Sequence, residues 1–357
     1  MGSTTRDQSI ILYFGDQTEK NIPFEELFEY SRESDRTKQF LQNAFHSIQL
    51  VIETLTEPER SKYKFDSFEE ASKRLAVDSS PDVVLRTIVL CAAQLGYLIA
   101  ILEKDPELRE VWAAQKTLIV ASCAGQLPAA IAACSHTIDE LVDLAPETVA
   151  IAFRIGMDVD RRTASLGDDR SQSWAKAVFG VSAPDAQKMV DKFLIREGID
   201  AKKGVYVAAT SAWASTVVGP PPVLNLFFSR DPFNGARQVD LPITAIFHAS
   251  HLDRPDTTAI IGTNPVFQGF SLRNPNFFSC SSGLPFHPQS LPALIEEAIL
   301  NITHRMTDNE KMFREVQSGI EDQLVCIKPI VGESGGERLK KVLVASDAYV
   351  ESASLLA

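Results

Sequence analysis

The sequence predicts an α/β fold with a parallel-sheet core and an inserted βαββαβ subdomain. Two observations lead to this prediction. Short apolar segments without charge precede Ala-rich or amphipathic stretches, which is the order expected for buried strands followed by helices. From Gln172 to Leu241 the order changes to strand, helix, two strands, helix and strand, which predicts a ferredoxin-like unit.

The core is expected to span residues 1–168 and 242–357, with the ferredoxin-like subdomain at 169–241. A chain of 357 residues with 45% hydrophobic content has enough apolar surface for one large α/β domain or two smaller ones. The net charge of −12 argues against nucleic acid as the main partner.

The five cysteines, at positions 91, 123, 134, 280 and 326, include no C-x-x-C pair and fit neither a zinc site nor a disulfide framework. We therefore expect no metal and a reducing, cytoplasmic location. The sequence has no basic and apolar N-terminal segment and no run of 18 apolar residues. Neither a secretion signal nor a membrane span is expected, so the membrane is not an expected partner.

The predicted elements of the core follow one another from the N-terminus. An apolar strand covers Ile10–Phe14, and the polar stretch Glu57–Pro81 is expected to be a connector. The spacing of apolar residues predicts helices over Thr37–Leu55 and Asp82–Leu102, and two helices within Thr137–Gly156 broken near Pro146.

Residues 117–130, TLIVASCAGQLPAA, combine a β-branched apolar run, small residues around a cysteine, and an Ala-rich stretch. Strand, sharp turn and helix are the setting of a nucleophile elbow, for which we describe the core as α/β-hydrolase-like. Cys123 is the candidate nucleophile, because small neighbours let strand and helix approach and a helix N-terminus lowers a thiol's pKa. The alternative is a buried cysteine that packs as a small hydrophobe.

Two histidines, His248 and His251, follow an apolar strand in PITAIFHASHLDRPD. An imidazole can take the proton of a cysteine nucleophile and return one to the leaving group near neutral pH. His248 is the candidate base, with a hydrogen-bonded strand-end histidine as the alternative. His251 is expected to lie at the mouth of the site or to support it. No acidic or cysteine cluster accompanies them, so no metal site is expected.

In chain order, YFGDQT, the elbow, the inserted unit and PITAIFHASHL resemble the acyltransferase fold of malonyl transfer in fatty acid synthesis and acyl loading in polyketide synthases. Most members of that fold have serine at the elbow. Cysteine there, with GQLPAA after it and HASHL after the returning strand, resembles the starter-unit:acyl-carrier-protein transacylase domain at the N-terminus of fungal non-reducing polyketide synthases. The resemblance runs from about Ile10 to about His304.

The resemblance implies roles for the matching positions. The histidine is oriented by a backbone carbonyl in FFSCSSG, on Ser279 or Cys280. Four further positions match the family's machinery: the nucleophile Cys123, its partner His248, and the oxyanion-hole backbone N–H groups of Gln17 and Ala124.

Three departures from the family pattern concern the elbow and the pocket. Ala121 replaces the first elbow glycine and adds a methyl group where strand and helix meet. Malonyl-loading relatives hold a carboxylate with an arginine on the helix after the elbow. Arg154 lies only near that register, so a free carboxylate in the substrate is not supported. Trp213 and Ala214 stand where relatives commonly have an asparagine, which implies a wall that is either bulkier or set for a particular acyl chain.

The implied activity is transfer of an acyl starter unit from acyl-CoA or a donor synthase to Cys123, and then to the phosphopantetheine thiol of an acyl carrier protein. No bound cofactor is implied, since the substrates are coenzyme A or phosphopantetheine thioesters. The chain is expected to be the N-terminal part of a larger multidomain synthase. Two alternatives stay open: an acyl-thioester hydrolase with the same dyad, and an inactive docking domain.

Residues 151–230 carry eleven Lys or Arg against eight Asp or Glu, in contrast to the acidic whole chain. Lys188, Lys192 and Arg196 lie on one predicted helix of this region. They form either a solvated helical face or a docking surface for an acidic carrier protein.

Overall fold

The computed structural model describes residues 8–19, 22–77, 82–167, 169–320, 323–343 and 347–351. These residues form two sheets surrounded by helices. The strands are β1 Gln8–Phe14, β2 Leu118–Ala121, β3 Ala175–Phe179, β4 Tyr206–Thr210, β5 Ala214–Val218, β6 Gln238–Asp240, β7 Thr307–Asp308, β8 Leu324–Ile330 and β9 Asp347–Val350.

Among the described residues, the helices lie between most of the strands, with six of them in a row between β1 and β2. They are α1 Phe24–Tyr30, α2 Asp35–Glu53, α3 Glu57–Tyr63, α4 Phe68–Val77, α5 Val83–Lys104, α6 Pro106–Ala113, α7 Gln126–Cys134, α8 Ile138–Ala164, α9 Ala183–Glu197, α10 Pro221–Ser229, α11 Thr257–Ile261, α12 Leu291–Thr303, α13 Asn309–Ser318 and α14 Glu333–Val342.

The core sheet has the strand order β2-β1-β8-β9, and every neighbouring pair is parallel. The predicted α/β class with a parallel sheet is confirmed. Phe14, the last residue of β1, pairs with Ala121 of β2 on one side and with Ile330 of β8 on the other. The carboxyl ends of these three strands therefore lie at one edge, which is where ligands bind in parallel α/β sheets.

Helix α5 lies inside the core and packs against α2 and α8. Among the described residues it is the helix whose length and composition would suffice to cross a membrane, yet 94% of its most apolar window is buried within the protein. A helix that is apolar on all sides is expected at such a buried position. The helix predicted over Asp82–Leu102 is thereby confirmed; it contains no run of 18 apolar residues because single polar residues such as Gln94 interrupt the run.

The second sheet, the small sheet, has the order β6-β3-β5-β4-β7. Its first four strands come from the segment between Ala175 and Asp240, pair antiparallel, and alternate with α9 and α10 along the chain. The edge strand β7 comes from a later part of the chain and pairs parallel with β4. This pairing, which the sequence did not predict, joins the small sheet to the core.

Two helical regions differ from the sequence predictions. The expected connector at 57–81 contains α3 and α4, because a few apolar residues at helical spacing, including Phe68 and Ala71, are enough to dock α4 on the core. Helix α8 runs unbroken through Pro146. A proline inside a helix costs about 3 kcal/mol, and the packing of α8 against α2 and α5 offsets that cost.

The apolar segment before His248, predicted as a strand, is irregular and joins neither sheet. Its backbone bonds to separate partners: the Trp174 N–H donates to the Ile243 carbonyl at 2.8 Å, and the His248 N–H donates to the Ile302 carbonyl at 3.1 Å. A short apolar run suits a buried loop as well as a strand, because burial alone is enough to select apolar residues.

Gly125 allows the turn after β2 to pack directly on the end of β1. A Cβ atom there would lie 2.6 Å from the carbonyl oxygens of Phe14 and Gly15. We expect Gly125→Ala to lower the free energy of unfolding by about 1–3 kcal/mol through overpacking, measured by urea denaturation. Gly319→Ala is the matched control, since its Cβ would lie 3.5 Å from the Val316 carbonyl oxygen, at ordinary van der Waals distance. Equal losses in both variants would contradict the prediction.

Candidate active site

Cys123 lies on a tight turn at the carboxyl edge of the core sheet. β2 ends at Ala121, residues Cys123–Gly125 form a 3-10 turn, and α7 begins at Gln126. Strand, turn and helix thus follow one another as the sequence predicts. The Cys123 backbone is left-handed, with φ of 45°, a strained conformation for a non-glycine residue that is typical of functional turns. Ala121 is accommodated, fully buried, in the strand.

His248 contacts the thiol of Cys123. Its Nε2 lies 2.9 Å from Sγ, and its Nδ1 lies 2.9 Å from the carbonyl oxygen of Arg305. Because a carbonyl only accepts, Nδ1 carries the ring proton and donates it, and Nε2 faces the thiol unprotonated. His248 also has a left-handed backbone, with φ of 56°. The pair is arranged for proton transfer from Sγ to Nε2.

The carbonyl that orients His248 belongs to Arg305, and not to Ser279 or Cys280 as expected from the resemblance. Ser279 Oγ accepts a hydrogen bond from Nδ2 of Asn301 at 3.2 Å, and the Cys280 carbonyl accepts from a backbone N–H of β7 at 2.7 Å. Both residues therefore support the segment next to the dyad. Every residue has a carbonyl, so residue types alone do not reveal which one reaches the histidine.

Thr307 is a site residue that sequence reasoning missed. Its Oγ1 lies 3.2 Å from Nδ1 and 3.3 Å from Nε2 of His248. These near-equal distances place the hydroxyl over the face of the ring, because in the ring plane it would overlap the carbon between the two nitrogens. The hydroxyl restricts rotation of the imidazole. No motif around HRMTD marks this threonine in the sequence.

Burial controls the protonation of both dyad groups. It raises the pKa of the Cys123 thiol well above the usual value. The Asp16 carboxylate raises that pKa further, and the neighbouring Ala124 backbone and Gln17 side chain lower it in part. Burial lowers the pKa of His248, although its hydrogen bond to a backbone carbonyl raises it. The resting pair is therefore a neutral thiol and a neutral imidazole, and the expectation of a thiol pKa lowered by the helix is wrong.

The loop after β1 brings Gln17 to the thiol and is held from two sides. The Gln17 carbonyl accepts a hydrogen bond from Nε of Arg86, on α5, at 2.7 Å, and the same guanidinium bonds to the Glu19 carbonyl. The Glu19 carboxylate accepts from Oγ of Ser334 at 2.6 Å and from the Gly335 N–H at 3.1 Å, at the start of α14. These contacts fix the position of Gln17.

Arg154 and His251 lie outside the cavity that contains the dyad. Arg154 pairs with Glu147 at 2.9 Å, so its charge is used within the core. His251 packs on the ring of Tyr206, with centroids 4.3 Å apart, and burial lowers its pKa to about 4. The Tyr206 hydroxyl donates to the Phe247 carbonyl at 2.7 Å. His251 therefore supports the segment that carries the dyad histidine and does not lie at the mouth.

The dyad opens into a cavity of about 240 Å³ between the core and the small sheet. Trp213 and Ala214 belong to its wall. Arg338, on α14, also lines it and lies 3.9 Å from Asp16; the sequence around it carries no motif. The apolar lining includes Ala177, Phe179, Ala208, Ala209, Val218, Leu241, Ile243, Ala245 and Phe247, and the polar lining includes Thr18, Thr210, Ser211, Thr216 and Asn309.

Several fungal proteins are similar to this chain. Non-reducing polyketide synthase PKS16 of Cladonia grayi is 32% identical over 317 residues, which are 88% of this chain and 15% of the synthase. Non-reducing polyketide synthase stmB of Aspergillus ustus is 32% identical over 82% of this chain and 14% of its own length. Ascochitine biosynthesis cluster protein 8 of Didymella fabae is 29% identical over 91% of this chain and 85% of its own length. The chain thus spans about 15% of the synthases it matches.

Solved structures of malonyl transacylases share the fold. MCAT from Mycobacterium tuberculosis superposes with a TM-score of 0.62 at 14% identity, covering 98% of both chains. The malonyl CoA-acyl carrier protein transacylase from Clostridium perfringens gives 0.64 at 14% identity, over 98% of this chain and 95% of that chain.

A family model also matches residues 12–248, and its description is starter unit:ACP transacylase in aflatoxin biosynthesis. The match spans the elbow of Cys123 and the segment ending at His248, which form the dyad, and the neighbouring loop of Gln17. This chain belongs to the starter unit:ACP transacylase family.

Proposed function

We propose that this protein is an acyltransferase that loads an acyl starter unit onto Cys123 and passes it to the phosphopantetheine thiol of an acyl carrier protein in polyketide synthesis. The observation that carries the proposal is the 2.9 Å contact between His248 Nε2 and Cys123 Sγ beside a largely apolar cavity. The family match supports transfer to a carrier protein. A type II polyketide synthase carrier protein has been solved in complex with its malonyl-transacylase, which has the same fold with a TM-score of 0.62 at 12% identity, over 98% of both chains.

In the loading step, His248 Nε2 takes the thiol proton while Sγ attacks the carbonyl carbon of the acyl thioester. The carbonyl electrons move to oxygen and give a tetrahedral intermediate. That intermediate collapses, its bond to the leaving sulfur breaks, and the imidazolium returns the proton to the departing thiolate. The products are acyl-Cys123 and the free thiol of coenzyme A or of a donor's phosphopantetheine.

The second step repeats this chemistry in reverse. His248 takes the proton of the carrier thiol, which attacks acyl-Cys123, and the proton returns to Sγ as the acyl group leaves. One thioester replaces another, so the two steps are close to isoenergetic and the transfer is reversible.

The oxyanion of each tetrahedral intermediate is assigned to the backbone N–H groups of Gln17 and Ala124. The Ala124 backbone lowers the pKa of the adjacent thiol, and the Gln17 loop is fixed by Arg86. Preorganised donors in a buried site stabilise developing negative charge without a reorganisation cost. The Arg305 carbonyl stabilises the positive charge that forms on His248 at the same time.

The starter unit is proposed to be a neutral, apolar acyl group. Arg154 is paired within the core, and Arg338 faces the carboxylate of Asp16, so neither cation is left uncompensated for a substrate carboxylate. The wall that the small sheet contributes is mostly apolar. Burial in this cavity is therefore more favourable in free energy for hydrocarbon surface than for charged surface.

The subdomain at 169–241 is proposed to be ferredoxin-like, inserted in an α/β-hydrolase-like core formed by 1–168 and 242–357. The strand order β6-β3-β5-β4, with antiparallel neighbours, supports this classification. The parallel core sheet with Cys123 at its carboxyl edge supports the classification of the core.

Cys123→Ala should abolish acyl loading, because it removes the nucleophile while deleting only one buried atom. Loading is measured as the mass gained by intact protein after incubation with acyl-N-acetylcysteamine thioesters. Cys134→Ala is the matched control, since Cys134 is buried on α7 and does not line the cavity, and it should load like the wild type. Acyl mass on the Cys123 variant would refute the proposed nucleophile. Release of free acid without carrier acylation would identify a hydrolase.

His248→Ala should slow transfer by roughly 100-fold or more, the usual scale for loss of a general base. His251→Ala should have a smaller effect, because His251 acts only through its packing on Tyr206. Rates of carrier acylation by both variants, at saturating thioester, test this order. The assignment is wrong if the His251 variant is the slower of the two.

The carrier protein is expected to dock on α9, where Lys188, Lys192 and Arg196 lie. Reversal of all three to Glu should raise the KM for an acidic carrier protein and reduce its salt dependence. Loading from N-acetylcysteamine thioesters should not change, since these small substrates need no docking surface.

A control reversal at Lys64, Lys73 and Arg74, in and beside α4, changes net charge equally but lies on another element. It should leave the KM for the carrier nearly unchanged. If the α9 variant shows unaltered carrier kinetics at low ionic strength, Lys188, Lys192 and Arg196 form a solvated helical face and not a docking surface.

A further inference from the structure

The catalytic cavity runs along one face of the small sheet. A bulge in β4 between Val207 and Ala209 interrupts the pairing with β5, and both Ala208 and Ala209 line the cavity. Bulges re-aim side chains in this way next to active sites. Ala177 of β3 and Ala214 of β5 line the same face. These small side chains leave space over the sheet for a hydrocarbon chain.

The dyad lies at one end of this face, which is the mouth of the cavity. β7 pairs with Ala209 and Thr210 of β4, and Thr307 of β7 contacts His248. Trp213 lies at the same end, in the turn between β4 and β5, and is 39% exposed. It also borders an open groove of about 840 Å³ on the outside. In the proposed function, this open side is the entrance for the pantetheine thiol.

The opposite end of the face lies further along β5. The cavity lining continues on this strand from Ala214 through Thr216 to Val218. The four residue steps from Ala214 to Val218 span about 13 Å. Ala214 pairs with Phe179 and Val218 pairs with Ala175, so the two ends of the face correspond to the two ends of β3.

Leu241 and Ile243 close this far end. The Leu241 N–H donates to the Ala175 carbonyl at 2.9 Å, and the Trp174 N–H donates to the Ile243 carbonyl at 2.8 Å. Both residues line the cavity. Their backbones are thereby fixed beside the start of β3, at the end of the cavity that lies away from Thr307 and Trp213.

Of these two side chains, Ile243 packs against the hydrophobic cluster of the core and also against the hydrophobic cluster beneath the small sheet. Leu241 packs only against the cluster beneath the small sheet. Ile243 therefore lies where the two parts of the protein meet at the far end of the cavity. Its hydrogen bonds use backbone atoms, so a change of its side chain alters the depth of the cavity without removing a hydrogen bond.

We propose that Ile243 is the residue that limits the length of the acyl chain. The acyl group lies along the small sheet with its thioester carbon at Cys123 and its methyl end against Ile243. This inference rests on the proposed acyl transfer and adds the side chain that selects among acyl groups. A contact of this kind discriminates strongly, since one methylene in an apolar pocket changes specificity by about 10-fold or more.

The test compares loading of a series of straight-chain acyl-N-acetylcysteamine thioesters, from acetyl to dodecanoyl, by intact-protein mass spectrometry. Ile243→Ala should shift the preferred chain length upward, with at least about a 10-fold gain for chains longer than the wild-type optimum relative to that optimum. Ile243→Phe should shift the preference downward by a similar factor. Ile261→Ala, which truncates a partly buried isoleucine outside the cavity, should keep the wild-type profile.

A second readout separates this inference from the proposed activity. Non-reactive S-alkyl pantetheine thioethers of the same chain lengths are titrated calorimetrically into the Cys123→Ala protein with and without Ile243→Ala. If the wild-type protein loads no acyl group but the Ile243 variant binds longer thioethers more tightly, the transferase proposal is refuted and the length limit is retained. Unchanged profiles in both assays, or an equal shift in Ile261→Ala, would overturn the inference, and Ile243→Val serves if the alanine variant does not fold.

Discussion

The strained turn at Cys123 is the constraint on which the rest of the site depends. A left-handed backbone immediately after a buried strand costs about 1–3 kcal/mol and persists only where the surroundings enforce it. Here the Ser122 N–H donates to the Phe14 carbonyl at 3.0 Å, and the absence of a side chain at Gly125 lets the turn pack on β1. Helix α7, which is fully buried, also holds the turn in place. Sγ is therefore held at the carboxyl edge of the sheet.

His248 is held with the same firmness by different means. It too has a left-handed backbone, its N–H is bonded to the end of α12, and its ring is fixed by the Arg305 carbonyl and the Thr307 hydroxyl. Burial keeps both members of the dyad uncharged at rest. A neutral thiol is less nucleophilic than a thiolate, so the resting thiol is protected from unproductive reactions.

The two sheets make different contributions to this site. The core sheet positions Cys123 and the loop of Gln17, while the small sheet supplies an apolar wall of alanines beside a β-bulge. The irregular segment before His248 connects them, because Ile243 bonds to the start of β3 and His248 bonds to α12. Changes in the small sheet can thus alter the wall of the cavity without moving the dyad.

The sequence alone determined the features that depend on neighbouring residues. A β-branched run, small residues and an Ala-rich stretch specify strand, turn and helix locally, so Cys123 could be predicted as an elbow residue, and His248 was a candidate base that the resemblance also matched. The parallel core and the order of elements in the small sheet follow from the same local patterns.

Only the tertiary structure decided the rest, because those features arise from residues far apart in the chain. The orienting carbonyl of Arg305 has no side-chain signature, and Thr307 and Arg338 join the site through strand pairing and helix packing. The raised pKa of Cys123 sums the burial imposed by the whole core, which outweighs the local effect of a helix N-terminus. The unbroken helix through Pro146 has the same cause, since packing against distant helices exceeds the local cost of proline.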